Sequence, residues 1–299
     1  MGERGRSNAP IRPEAYTEEY FRTSVEGHER FSKNGGRDVS PRFRRALALA
    51  GPRPGQRVLD IACGRGEVVL QSALRGADAL GIDYAAAALS VARASLNGAA
   101  ARGRCALARM DATHLALADQ SFDAALMLDF VEHVHQPDLE AAFREVRRVL
   151  KPGGRLVIHT SPNRVFEQGM YRNYVTKVHE TVLNFGRNWL GLKKGLFLNE
   201  ITLPIKPQPL VSRYELELHV NPQDGRALRS ALRECGFHVR KVTHYQPPAA
   251  PFFPKELYWH NAMMKTLDLV RFFYPFGRLP PLNQFFSNHI WVAAERPRD

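Results

Sequence analysis

Between residues 56 and 160, short apolar runs alternate with longer stretches in which apolar positions recur every three or four residues. The short runs read as buried strands and the longer stretches as amphipathic helices. Strands are expected at Val58–Ile61, Leu80–Asp83, Cys105–Met110, Ala124–Leu128 and Leu156–Thr160. Helices are expected from Val68, over Ala85–Leu96, and from Pro137 with Phe143, Val146 and Val149 on one face. Such alternation argues for an α/β fold with a parallel, doubly wound sheet. Ser40 and Pro41 open an earlier helix that runs to Ala50, and Gly51-Pro52-Arg53-Pro54-Gly55 breaks it. Leu150-Lys151-Pro152-Gly153-Gly154 is expected to end the helix from Pro137. Further on, Leu228, Leu232 and Cys235 are periodic along a helix stopped by Gly236; strands at Val239–Val242 and His289–Ala294 follow.

Two stretches interrupt this pattern. Residues 163–210 are rich in aromatic and basic side chains, among them Tyr171, Trp189, Lys193 and Lys194, and are read either as a lid above the cleft or as plain packing. A cationic stretch with Trp, Phe and Leu also suits peripheral contact with a membrane surface. Residues 246–286 carry Trp259, Met263, Met264, Phe272 and Phe273, for an apolar acceptor pocket, a dimer contact or an ordinary buried face. The chain thus divides into an N-terminal arm with helices (1–45), a core (46–162), the aromatic and basic insertion (163–210), a core helix and sixth strand (211–245), the helical insertion (246–286), and a last strand with tail (287–299). In the arm, Tyr16, Tyr20, Phe21 and Phe31 either lie over the cleft or cover the edge of the core.

Composition narrows this only a little. At 299 residues the chain is long for one core yet compatible with one decorated domain. The net charge of +12 favours acidic partners such as RNA or anionic lipid, but the arginines are scattered and form no long basic block. Cys63, Cys105 and Cys235 are an odd number without metal-site spacing, which points to a reducing cytoplasm. No apolar run reaches the length of a bilayer span, so any membrane contact is peripheral.

The chemistry centres on the end of the first strand, Val58-Leu59-Asp60-Ile61-Ala62-Cys63-Gly64-Arg65-Gly66-Glu67. Gly64 and Gly66 can take positive φ and let a ligand approach the backbone, where the next helix presents unpaired N–H groups. Neither the three-glycine dinucleotide spacing nor the phosphate-loop ending is present. Asp60 would repel a phosphate, so the turn suits a ligand bearing an amine or sulfonium; a purely architectural glycine turn is the competing reading. Asp83 ends the second strand about twenty residues beyond the turn, where a carboxylate meets a ribose, and also suits a helix N-cap. Tyr84 is placed to lie on a purine face. Asp111 can accept from an adenine amino group and the Ala112 N–H can donate to its ring.

Together VLDIACGRGE, GIDY, MDA, SFDAALMLDFVEHV and LKPGGRLVIHTSPN, in this order and spacing, resemble the S-adenosylmethionine-binding core of class I methyltransferases, in the type 11 and ubiquinone-biosynthesis O-methyltransferase-like branch. The resemblance covers residues about 56 to 163. It implies a Rossmann-like, seven-stranded sheet whose last strand is antiparallel, with helical insertions over the carboxyl edge. It places Asp60, Ala62, Cys63, Gly64 and Gly66 around the methionine part of the cofactor, Asp83 on the ribose, Tyr84, Asp111 and Ala112 at the adenine, and Asp129 closing the site. Many relatives have glycine where this chain has Ala62, a departure that shifts the turn without removing it.

Methyl transfer to oxygen needs a base, and His133, just past the fourth strand, and His159, near the end of the fifth, are the candidates. His133 is also read as a structural cap at a helix start. Asp129, Glu132 and His133 form an acidic-x-x-Glu-His pattern that some relatives use for a divalent ion, but no metal is expected here. The function expected is an S-adenosylmethionine-dependent methyltransferase acting on a small or lipid-linked acceptor, with oxygen as the leading methylated atom. An RNA methyltransferase and a non-catalytic scaffold of the same fold are the alternatives; nucleic acid is the weaker partner, because no RNA-binding module is recognisable and Asp129-Phe130-Val131-Glu132 stands where amine-methylating enzymes carry an Asn/Asp-Pro-Pro-aromatic motif.

Overall fold

A computed structural model of the chain describes residues 11–97, 103–165, 218–244, 284, 287 and 289–298. The lid, membrane-contact and apolar-pocket readings of the two insertions therefore fall almost wholly outside the described residues.

Seven strands form one sheet in the order β3-β2-β1-β4-β5-β7-β6. These are β1 (Arg57–Ile61), β2 (Asp78–Asp83), β3 (Cys105–Arg109), β4 (Phe122–Leu128), β5 (Leu150–Thr160), β6 (His238–His244) and β7 (Ile290–Glu295). The first five run parallel, and β7 runs antiparallel to both β5 and β6. Order reverses between β1 and β4, and a crevice outside the carboxyl ends of these two strands is where such a sheet binds ligands.

Side-chain alternation divides the core between the two faces. Leu59, Ile61, Ala125, Met127, Leu156 and Ile158 pack on one side, under α5 (Gln136–Val149) and α6 (Gly225–Glu234). Val58, Ala124, Leu126, Val157 and Trp291 pack on the other, against α2 (Pro41–Ala50). On α5 the residues Leu139, Ala142, Phe143, Val146 and Val149 are all fully buried, at helical spacing. Each large apolar side chain so buried contributes about 1.5–3 kcal/mol. Helix α2 has the bounds and caps its sequence predicts: the Ser40 hydroxyl accepts from Phe43 N, Pro41 takes the first position, and Gly51 ends it with left-handed backbone. The arm-to-core boundary expected at residue 46 falls inside it.

Helix α3 (Glu67–Leu74) lies close on the sheet because β2 carries Gly81. A Cβ there would come within 2.6 Å of Val69 Cγ2 and 2.9 Å of Cys63 Sγ. Close helix–strand packing is thus met by a glycine in the strand. Helix α4 (Ala86–Leu96) follows β2. The stretch from Leu150 ends α5 as expected, with Val149 the last helical residue, but the strand begins at Leu150 rather than Leu156, so Lys151-Pro152-Gly153-Gly154 bulges within it, between the pairs Phe122–Leu150 and Ala124–Arg155. Pro152 has no N–H for the ladder. The bulge is instead held from the chain end, where Gly153 N donates to Arg296 O and Arg296 N to Gly154 O, both at 2.9 Å.

The N-terminal arm comprises short helical turns at Pro13–Ala15 and Tyr20–Ser24, then α1 (His28–Asn34). Among the described residues no helix is long and apolar enough to cross a membrane.

Candidate functional site

A cavity of about 420 Å³ opens at the carboxyl ends of β1, β2 and β4. That is within the range of cofactor pockets. Its floor is the turn after β1, where Ala62, Gly64 and Gly66 all have positive φ. Such a turn is compact enough for its N–H groups to converge, as when Gly64 N donates to Asp83 Oδ2 at 3.1 Å. Ala62, Cys63 and Gly64 line the cavity, whereas Gly66 does not. A Cβ on Gly66 would lie 3.1 Å from that of Ala92, so its task is to seat α3 against α4.

Asp60 and Asp83 are both buried and both reach the cavity wall. Burial raises the Asp60 carboxyl well above the usual range, and neighbouring Asp83 and Glu67 add to the rise. Asp83 is also raised by burial, against the opposing pull of the Ala85 and Gly64 N–H groups. Carboxylates crowded in this way favour a positively charged ligand, which would lower both. Residues and cavity therefore fit an amine- and sulfonium-bearing cofactor such as S-adenosylmethionine. The cap reading of Asp83 is not realised: the N-cap of α4 is Ala85, without a side-chain cap, and Asp83 Oδ1 accepts from Ala85 N at 2.9 Å, one step ahead of the helix.

Tyr84, Asp111 and Ala112 line the same cavity. The Tyr84 hydroxyl donates to Ile11 O at 3.3 Å, and burial pushes it up to about 12. Asp111 is exposed and closes a local turn by accepting from both the N–H and the hydroxyl of Thr113 at 2.8 Å.

Aromatic residues of the arm complete the wall: Tyr16, Tyr20 and Phe21 face the cavity, with Tyr16 edge-on to Tyr84 and His133. Both readings of this arm are seen: it lies over the cleft, and Tyr16 and Phe21 also cover the edge of the core at Ala85, Ala88 and Val91; Phe31 packs beside them against Arg65. Arg65 is the pin. Buried within the glycine turn, it pairs with Glu67 at 2.7 Å, donates to the backbone oxygens of Phe21, Val25 and Glu26, and lies over the Phe31 ring.

Beyond β4 the backbone turns through Asp129, whose φ of 53° is unusual for a residue with a side chain. Its carboxylate pairs with the buried Arg42 of α2 and accepts from His159 Nδ1 at 2.6 Å. Burial works to raise this carboxyl, but Arg42 and His159 outweigh it and hold it well below the carboxylate range. Asp129 lines the cavity; His159 is 0% exposed and does not, touching His289 Nδ1 through its own Nε2 at 2.9 Å. His289 does line the cavity. Burial, then His159 and Arg42, lower it to about 3, so its ring is neutral.

His133 also lines the cavity, and its Nδ1 meets Leu218 O at 3.0 Å. Burial and nearby His219 lower it to about 4. Glu132 is buried behind, accepting from Thr160 Oγ1 at 2.9 Å, and burial and Asp129 raise it well above its usual value. Among the described residues, Glu132, His133 and His219 each bring one ligand atom within 4.8 Å of the others. Asp129, read in sequence as their partner, is instead committed to Arg42 and His159.

Sequence reasoning passed over Arg42, Arg65, His219 and His289. Three of these are distant in sequence from what they touch; His289 alone left a trace, as a polar residue opening the otherwise apolar run Ile290–Ala294.

Residues 59–158 match the type 11 family described as Methyltransferase domain. The chain is 36% identical over 125 residues to the ubiquinone biosynthesis O-methyltransferase of Alkalilimnicola ehrlichii, covering 41% of this chain and 49% of that protein. It is 34% identical over 146 residues to the demethylmenaquinone methyltransferase of Renibacterium salmoninarum, covering 48% and 58%. The match thus spans about half the length of these curated relatives. Among solved structures, the geranyl diphosphate C-methyltransferase of Streptomyces coelicolor superposes with a TM-score of 0.54 at 16% identity, over 92% of this chain and 85% of that one. At that identity the likeness is one of fold.

Proposed function

From the match of residues 59–158 to the type 11 Methyltransferase domain, we infer that the chain is a class I S-adenosylmethionine-dependent methyltransferase and that the reaction is methyl transfer to an oxygen of a small or lipid-linked acceptor with a quinone-type ring. The observation that carries this reading is the pair of buried carboxylates, Asp60 and Asp83, facing a cavity whose far side holds neutral histidines. Two curated relatives named for ubiquinone biosynthesis and demethylmenaquinone support the acceptor class.

When bound, S-adenosylmethionine supplies a methyl group on a sulfonium, a carbon electrophile that needs no further activation. The protein's part is to orient two reactants and exclude water, and orientation alone can supply about 7–11 kcal/mol. Asp60, Ala62, Cys63 and Gly64 would surround the methionine part, and Asp83 would accept from the ribose hydroxyls. Tyr84 would lie on the adenine, with Asp111 and the Ala112 N–H at its edge. Asp129 would close the site toward the acceptor. The arm residues Tyr16 and Phe21, pinned by Arg65, cover the cleft.

Calorimetric titration with S-adenosylhomocysteine tests the site. Wild type is expected to bind, and Asp83→Ala to lose about 10- to 100-fold in affinity, as removal of charge-assisted hydrogen bonds worth about 1.5–3 kcal/mol implies. Methyl transfer is then followed on phenolic and lipid-linked quinone precursors. Unchanged affinity in Asp83→Ala would sink the site assignment, and binding without transfer to any hydroxylated ring would sink the acceptor class. RNA binding that falls steeply with salt would mark RNA as the acceptor instead.

A further inference from the structure

We propose that His289 is the catalytic base that takes the acceptor's proton, with His159 and Asp129 as positioning residues that fix its tautomer from behind. The inference rests on the methyl-transfer reading above and goes beyond it by naming the proton acceptor.

The polarity of the chain starts at Asp129. Its carboxylate, kept ionised by the buried Arg42, can only accept, so the proton between it and His159 sits on His159 Nδ1. In the arrangement proposed, Nδ1 carries the only ring proton of His159, so its Nε2 accepts from His289 Nδ1 at 2.9 Å. With Nδ1 donating, the lone pair of His289 is on Nε2, on the opposite edge of the ring. His289 lines the cavity shared with Asp129 and the glycine turn. Each hydrogen bond dictates the next, from a fixed negative charge to the cleft.

Both rings are held. His159 is wholly buried, with its ring centroid 4.4 Å from that of Trp291, its cross-strand partner. The backbone of His289 is bracketed by Ser287 Oγ, which accepts from His289 N at 3.2 Å and donates to His289 O at 3.1 Å. Ser287 is itself anchored by Asn163, whose Nδ2 donates to Ser287 O at 2.8 Å. Thus the end of the TSPN motif sets the position of a residue more than a hundred places downstream.

His133 is the rival, and its surroundings differ in one respect that decides. Its Nδ1 meets the neutral carbonyl of Leu218, with the His219 ring 4.8 Å away, so charge formed on His133 meets no carboxylate through its hydrogen bond. Charge formed on His289 is shared through His159 with Asp129. In the step, the acceptor's O–H proton passes to His289 Nε2 as an oxygen lone pair forms the new bond to the methyl carbon. The carbon–sulfur pair leaves with the sulfur, which becomes neutral. One positive charge disappears at sulfur as one appears on imidazole. Net charge in the cleft is therefore constant, and the burial that keeps His289 unprotonated at rest does not oppose the transfer.

The test begins without any acceptor. In ¹⁵N-histidine-labelled protein saturated with S-adenosylhomocysteine, long-range ¹H–¹⁵N spectra assigned with His289→Gln should show His289 protonated at Nδ1 and bare at Nε2. In Asp129→Asn, Arg42 keeps the amide oxygen and the NH₂ faces His159, so the chain reverses and His289 becomes protonated at Nε2. Turnover with a methylated acceptor should then fall about 10²- to 10⁴-fold in His289→Gln, with S-adenosylhomocysteine affinity within about threefold. Wild-type His289 protonated at Nε2 would overturn the proposal whether or not an acceptor is found. So would a turning-over wild type whose His289→Gln variant keeps its rate, or whose His133→Gln variant loses more. Absence of any transfer by wild type counts against the methyl-transfer reading alone, because the tautomer measurement is independent of it.

Discussion

Arg42→Met isolates the interaction on which the cleft's electrostatics depend. The Arg42 side chain is 7% exposed and that of Asp129 is 29% exposed. Two unit charges about 4 Å apart attract by about 4 kcal/mol at an effective dielectric of 20. Removing one member of a buried pair typically costs about 3–5 kcal/mol, because the other is left uncompensated. Here the Asp129 carboxylate keeps the His159 Nδ1–H and some solvent, and methionine retains much of the stem's packing, so a loss of about 2–3 kcal/mol is expected. Glu26, at 3.4 Å and 59% exposed, adds little. Urea unfolding at pH 7 measures the loss, and Arg42→Met with Asp129→Asn should recover most of it, since asparagine tolerates the left-handed backbone at position 129. The sign with pH follows from the depressed Asp129 carboxyl. Its stabilisation is full above the unfolded carboxylate value of about 3.9 and is lost as pH falls through the folded value. The Arg42→Met deficit is accordingly full at pH 7 and shrinks in acid below about pH 4. An Arg42→Met protein within 0.5 kcal/mol of wild type, or a double variant no better than the single, would refute the pairing argument.

What the sequence made legible was whatever is encoded over a few neighbouring residues. The run Val58–Ile61, the Ser40-Pro41 cap and the spacing of Phe143, Val146 and Val149 are local, and strands and helices appear where these patterns put them. The residues at the strand ends, Asp60, Asp83, Tyr84 and Asp111, converge because a parallel sheet brings all its carboxyl ends to one edge. Illegible features depend on register between distant segments. Whether His159 meets solvent or another side chain is decided by β7 lying antiparallel beside β5, which places Trp291 opposite it and His289 at the end of the ladder. The Lys-Pro-Gly-Gly stretch does follow the end of α5, but its place inside β5 was hidden for the same reason: Gly153 N–H and Gly154 C=O are satisfied by Arg296, whose approach no local pattern announces. Arg65 likewise reads as a variable residue between two glycines until the arm folds over it.

Arg65→Met removes the pin between arm and glycine turn, so amide hydrogens of residues 20–31 should exchange at least tenfold faster; unchanged protection would mean that the aromatic contacts hold the arm unaided. Gly81→Ala tests whether the strand glycine sets the distance of α3 from the sheet. The added methyl would lie 2.6 Å from Val69 Cγ2 and 2.9 Å from Cys63 Sγ, neither of them the far end of a flexible chain. Overpacking of this kind costs about 1–3 kcal/mol, and at about 2–4 °C per kcal/mol for a domain of this size the thermal midpoint should drop by about 2–12 °C. Because Cys63 lines the cavity, the shift is transmitted to the floor of the site, and S-adenosylhomocysteine affinity should fall with stability. Pairing Gly81→Ala with Val69→Ala removes the nearer obstacle and should restore part of both. A single variant with unchanged midpoint and affinity would show that α3 has room to move, and that the missing third glycine of the turn has no substitute in β2.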